Sequence, residues 1–143
     1  MLERFYGFYK PLEENFRLHP EIMQALDFTQ RFKLPALEED LSYFGCDAAA
    51  LAKLPLCDVL PPTDTPAELI GAIYVMEGST HGAQFITLRL RQQLALGEQG
   101  LSFFQGYGKD TMPRWQEFKN FLESAFDPLR EGDAIVASAV KTF

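Results

Sequence analysis

Through most of this chain the apolar residues recur at the three-and-four spacing of helices that face a core. In "LERFYGFYKPLEENF", residues 2–16, Leu2, Phe5, Phe8, Tyr9, Leu12 and Phe16 share one side, the stripe a helix buries. Pro11 lies inside that run. It has no N–H and crowds the preceding turn, so a kink or break is expected there. Pro20 and Glu21 open a short helical piece through Phe28. Pro35 opens another, with Leu37, Leu41 and Phe44 on one face and Gly45 at its end. Asp47 is placed to cap the short run AAALAKL. Residues 55–66 hold Pro55, Pro61, Pro62 and Pro66 and read as an extended connection. No independent core would remain on its N-terminal side, so residues 1–143 read as a single domain.

Thr65-Pro66-Ala67-Glu68 is a strong helix start. Threonine caps, proline takes the first helical position and glutamate completes a capping box. The helix is expected to run to about Leu96, where Gly97 stops it, a length of roughly 45 Å. "LSFFQGYG", residues 101–108, reads as an aromatic loop. Asp110 or Thr111 starts a helix with Trp115, Phe118, Leu122 and Phe126 on one face, and Asp127-Pro128 starts the last segment. No strand pattern occurs, so the fold class is all-α: a helical bundle around one long central helix.

That central helix carries an anomaly, "EGSTHGAQFI" at residues 77–86. Glycine in a helix interior costs about 0.8–1 kcal/mol relative to alanine. On a helical wheel with Gly71 at zero, Gly78 falls near −20° and Gly82 near +20°, at roughly 100° per residue. Tyr74 and Phe85 flank this strip on one side and Val75 on the other. Such a strip serves either a closely packed helix or a flat ligand lying against the backbone. Ser79 and Thr80 are hydroxyl donors or back-bonding residues that bend the helix.

Composition narrows the classes. Hydrophobic residues make up 47% of the chain, with 13 phenylalanines, enough for a core without disulfide or metal. The net charge of −7 argues against a nucleic-acid face. No run approaches the roughly 18 apolar residues of a membrane span, and the N-terminus lacks a secretory pattern. Cys46 and Cys57 have no ligand-spaced neighbours and read as reduced, partly buried cytosolic thiols. The expected location is cytoplasmic. No metal cluster, phosphate loop or Ser-His-Asp set is evident.

The stretch "YVMEGSTHGAQFI", followed by "SFFQGYG" and then Trp115 and Phe118, resembles the bacterial biliverdin-producing heme oxygenases. Tyr74, Val75, Glu77, Gly78, Ser79, Thr80 and Gly82 match that family's distal-helix text, while Ala83 replaces the second glycine of a pair. Phe103, Phe104, Gly106, Tyr107 and Gly108 match a second stretch, and "FYGFYKPLE" and "KLPALEEDL" also look like the family. The resemblance implies a kinked distal helix over heme, which is both cofactor and substrate. It further implies oxidative ring opening to biliverdin, carbon monoxide and iron. Gly78, Ser79 and Gly82 would form the distal wall and steer the reaction. Gly78, Gly82, His81, Tyr74, Phe104, Tyr107, Lys119 and Phe143 would contact heme, and Phe103 would help close the apolar side. Arg114 and Lys119 would face propionates or be ordinary surface charge. Electrons would come from a reductase or ferredoxin.

Set against the family pattern, the chain is expected to lack the first helix, which bears the proximal histidine, and to be short at its C-terminal end. The alternative to a heme-opening enzyme is then an inactive heme- or ligand-binding remnant of the fold, with no heme bound in this shortened chain as the further expectation. An apolar groove along Phe5, Phe8, Phe16 and the glycine strip would be exposed, which suggests a homodimer. His19, before Pro20, reads as a solvated turn residue. His81 reads as a half-buried histidine bonded to a carbonyl. Glu38, Glu39 and Asp40 read as a solvated helix face, and Glu77 is left between a salt bridge and a role in the kink.

Overall fold

A computed structural model describes residues 1–94, 96–97 and 99–143, and for Gln84 the backbone. Among the described residues there are α-helices, two short 3₁₀ turns and no strand. The helices are α1 (Leu2–Phe16), α2 (Pro20–Ala25), α3 (Leu34–Tyr43), α4 (Ala48–Leu51), α5 (Pro66–Leu94), α6 (Ser102–Gln105), α7 (Thr111–Ala125) and α8 (Pro128–Thr142). α5 is the axis: α8, α7 and α6 pack on it, and α1 packs on α3. Leu12, Phe16, Phe28, Leu37, Leu69, Ile70, Ile73 and Phe118 fill the space between them. None of the described helices is long and apolar enough to cross a membrane.

The start of α5 forms as its sequence dictates. Thr65 N donates to Glu68 Oε2 at 3.1 Å, and Glu68 N donates back to Thr65 Oγ1 at 3.3 Å. This reciprocal pair satisfies two helix donors that would otherwise be orphaned. α5 then runs without interruption through its glycines to Leu94. Ser79 Oγ and Thr80 Oγ1 donate to the carbonyls of Met76 and Glu77 at 2.7 and 2.6 Å, the back-bonding that lets these residues sit inside a helix.

Five local expectations need correction. Of the kink or break expected at Pro11, the break does not occur, and α1 continues to Phe16. The carbonyl that Pro11 leaves without an intrahelical donor belongs to Gly7, and Cys57 N donates to it at 2.9 Å. A Cβ on Gly7 would collide with the Pro55 carbonyl oxygen, so glycine and proline together seat the 55–57 segment on α1. Cys57 is exposed rather than partly buried. Phe16 is buried against Phe28, not exposed in a groove. The aromatic loop is the short helix α6, and Asp40 is buried beneath it, not on a solvated face. The Asp40 carboxylate accepts from Ser102 N and Phe103 N at 2.8 and 2.9 Å.

Gly71 settles one half of the glycine question. A Cβ there would strike the Ile135 carbonyl, lie 2.7 Å from Ser138 Cβ and 2.9 Å from Ala139 N. This end of the strip is a helix–helix contact with α8. Ser138 fastens it by donating to the Glu68 carbonyl at 2.6 Å. Gly71→Ala is therefore expected to destabilise the protein by about 1–3 kcal/mol, the usual overpacking range. Gly132→Ala, where a Cβ meets nothing within 4 Å on α8, should be stabilising by up to about 1 kcal/mol. Urea unfolding of both variants checks the difference in sign.

Candidate functional site

Beyond Gly71 the strip changes character. At Gly78 a Cβ would touch only Trp115 Cη2, at 3.9 Å, and at Gly82 it would meet nothing within 4 Å. One strip thus serves both purposes: close helix packing at its N-terminal end, an open backbone surface further on. Beside this open stretch lies a cleft of about 270 Å³. Phe5, Phe8 and Tyr9 of α1 form one wall, and Phe103 and Phe104 of α6 another. Val75, Met76, Ser79, Thr80, Ala83 and Ile86 of α5 form the floor, and Thr142 and Phe143 stand at the end of α8. The rings interlock, with Phe5 and Phe103 centred 4.9 Å apart and Tyr9 edge-on to Phe103 at 5.5 Å.

The lining is mostly apolar, and its polar members are Lys33, Tyr9, Ser79, Thr80 and Thr142. Burial pushes the Tyr9 phenol up to about 12, against the pull of a hydrogen bond with Ser79. Tyr9 therefore keeps its proton throughout the neutral range. Burial likewise drives the Lys33 ammonium below its ordinary value, although Glu77 opposes the shift. Glu13 supports this corner by accepting from Lys33 N at 2.6 Å and Leu34 N at 3.3 Å. Its carboxyl is nevertheless pushed up to about 7, because burial outweighs the two amide donors.

Behind the cleft a buried ionic cluster fastens α5 to the rest of the fold. Glu77 is its centre. Arg31 Nη1 donates to Glu77 Oε2 at 2.6 Å, and Lys33 Nζ donates to Oε1 at 3.3 Å. Tyr107 accepts from Lys33 Nζ at 2.6 Å and donates to Glu77 Oε1 at 2.6 Å. Its phenol is held well above the ordinary tyrosine value, first by burial and then by the Glu77 charge. Arg31 also donates to Glu117 Oε2 at 3.0 Å and to the carbonyls of Leu26 and Arg114. Glu77 thus forms a salt bridge rather than standing free, and its partners are Arg31 and Lys33.

The structure divides the residues singled out from sequence. Ser79, Phe104 and Phe143 line the cleft, as does Phe103. Gly78 and Gly82 are not among the residues that line it. Tyr74 and His81 lie on the far side of the glycines, edge-on to Trp115 at 5.2 and 5.3 Å. His81 Nε2 is buried and makes no hydrogen bond to the described residues, so the expected carbonyl partner is not there. Tyr107 belongs to the ionic cluster, and Lys119 stands on α7 without lining the cleft. His19 is tied down rather than solvated, its Nε2 being 2.7 Å from the Thr63 carbonyl oxygen. Among the described residues no group of His, Cys, Asp and Glu could hold a metal ion. Lys33 and Arg31 escaped the sequence reading. They sit in a short connection without periodicity, and a basic residue in a loop normally signals solvent.

The described residues thus form helices around an aromatic cleft beside the glycine-bearing helix α5. The chain belongs to the heme oxygenase family, whose model matches residues 1–143. It is similar to "Heme oxygenase" of Xanthomonas campestris pv. campestris (strain 8004), with 30% identity over 115 residues. That match covers 79% of this chain and 64% of the relative. No solved structure matches.

Proposed function

We propose that this chain binds heme in the α5 cleft and takes part in its oxidative opening to biliverdin, carbon monoxide and iron. The observation that carries the reading is the cleft itself, on the helix whose glycines leave the backbone open. Phe5, Phe8, Phe103 and Phe104 supply aromatic walls, and Val75, Ala83 and Ile86 supply an apolar floor. These residues fit the faces of a tetrapyrrole, and a Cβ at Gly82 would occupy open space beside them. When bound, heme supplies the iron that takes up oxygen and the ring that is opened. The protein's part is to exclude water with the phenylalanines, to orient the ring against α5 and to hold polar hydrogens at Ser79, Tyr9 and Lys33.

The cleft offers the ring no imidazole. His19 is engaged with Thr63, and His81 lies across the glycine strip beside Trp115. In this reading a group outside the cleft lining would hold the iron, and the electrons would come from a ferredoxin or flavin reductase. A second copy of the chain is one source of such a ligand. α8 turns Leu129, Val136, Val140 and Phe143 outward, and this helical spacing suits pairing with itself.

A hemin titration of the purified chain tests the reading. The expected result is a saturable complex whose Soret band moves on addition of carbon monoxide. Sedimentation of the loaded protein then shows whether one chain or two hold each heme. The absence of saturable binding would overturn the proposal.

A further inference from the structure

We propose that a depression where α5 meets the end of α6 and the 3₁₀ turn Gly108–Asp110 binds a phosphoryl group through Arg91 and Lys109. The depression has a volume of about 400 Å³ and is lined by Thr87, Arg91, Gln105, Gly108 and Lys109. None of these residues lines the aromatic cleft, so the site is separate from the proposed heme function and does not depend on it. Two of the lining residues are cationic and none is acidic. In a chain with a net charge of −7, a concavity of this sign attracts anions against the overall field.

The Arg91 side chain supplies the sharper observation. Among the buried side-chain nitrogens and oxygens of the described residues, Arg91 Nε and His81 Nε2 lack a hydrogen-bond partner. A buried charged N–H without an acceptor is costly, and such a group in a native fold calls for an explanation. The buried cations Arg31 and Lys33 show the ordinary solution, since both pair with Glu77. Arg91 lies in the last turn of α5, where an arginine commonly bonds the free carbonyls of the helix end. Its Nε makes no such bond. Among the described residues neither Arg91 nor Lys109 forms an ion pair. A turn about the side-chain torsions presents the Nε edge of the guanidinium to a bound oxyanion, and no hydrogen bond of Nε has to break for it.

The charge count favours a phosphoryl group over a carboxylate. A phosphate monoester carries about −1.5 to −2 at neutral pH, which balances two cations, whereas a carboxylate balances one. The guanidinium takes two phosphate oxygens in its planar fork, and the Lys109 ammonium adds a point charge. The Gln105 amide adds a polar group to the lining. The Thr87 hydroxyl is already spent on the Ala83 carbonyl, at 3.0 Å. Gly108 keeps the space open, because a Cβ there would meet nothing within 4 Å.

The test is an NMR titration of the ligand-free chain with inorganic phosphate at constant ionic strength, followed at the Arg91 Nε–H and the Lys109 amide. Both resonances are expected to move together and saturate. A second titration with glycerol 3-phosphate separates the two sources of the group. Tighter binding of the ester assigns the site to a phosphorylated small molecule, and tighter binding of the ion assigns it to free phosphate. Acetate binding as tightly as phosphate would overturn the phosphoryl assignment. Arg91→Gln and Lys109→Gln should each weaken phosphate binding at least about 10-fold, the worth of one charge-assisted hydrogen bond. Lys53→Gln, an exposed cation outside the depression, should leave it unchanged. Shifts that grow without saturating, or an equal loss in Lys53→Gln, would overturn the proposal. In phosphate-free urea unfolding, Arg91→Gln should match or exceed the wild-type midpoint, because the orphaned N–H leaves with the guanidinium. A lower midpoint would overturn the proposal by showing that Arg91 is spent on the fold. No step uses hemin, so a failure of hemin binding leaves each of these results standing.

Discussion

Replacing Glu77 with leucine is expected to unfold a large fraction of the protein at room temperature. The substitution removes the single carboxylate that accepts from both Arg31 and Lys33, whose side chains are almost wholly buried. Glu117 remains beside Arg31, but it is 58% exposed and compensates poorly. Breaking a buried pair from one side costs about 3–5 kcal/mol, because a charge is left without a partner in a low-dielectric interior. Here two cations lose the same partner, and Tyr107 loses its acceptor. Domains of this kind hold only about 5–15 kcal/mol in total. Urea unfolding monitored by helicity measures the loss. The triple replacement Arg31→Met, Lys33→Met and Glu77→Leu should recover much of it, since an apolar cluster has no charge to desolvate. A Glu77→Leu midpoint close to wild type would show that the cluster contributes little to holding the fold together.

Gly78→Leu is expected to have the largest effect on the ligand and little on the fold. A Cβ at Gly78 makes only an ordinary contact with Trp115, so the helix accommodates it. Leucine is also the better helix former by nearly 1 kcal/mol. The rest of the side chain would project over the open strip, where a flat ring has to lie against the backbone. Hemin affinity should fall at least about 100-fold, equivalent to about 2.7 kcal/mol, with far-ultraviolet helicity preserved. Gly71→Leu should show the reverse order of damage, because its side chain would be driven into the backbone of α8. Equal loss of helicity and hemin binding in Gly78→Leu would mean that this end of the strip is also a packing surface.

The comparison of these two glycines shows how far a sequence can be read. The wheel placed Gly71, Gly78 and Gly82 on one face, and they do share it. It could not show that α8 covers the first and leaves the last open, because that depends on where a segment more than fifty residues later returns to the helix. Pro11 teaches the same point. Its missing N–H predicts a kink or a break; the helix continues, and the freed carbonyl of Gly7 finds a donor in Cys57, a partner that only the folded chain brings near.

The sequence by itself determined the helical class, the capping box that starts α5, the caps at Asp47 and Asp127, and the resemblance to the heme oxygenases. These depend on local spacing, local backbone chemistry and short motifs, which act over a few residues. Only the tertiary structure decided which of the marked residues share the cleft, and that Tyr74 and His81 stand across the glycines from it. It also buried Asp40, which reads as part of a solvated face, and Arg31 and Lys33, which no sequence pattern singled out. A charge can be buried only when a partner from a distant segment reaches it with good geometry. Glu77 is 46 residues from Arg31, and Asp40 is 62 from Ser102. No local pattern carries information over that separation, so these buried polar contacts appear only when the helices are packed.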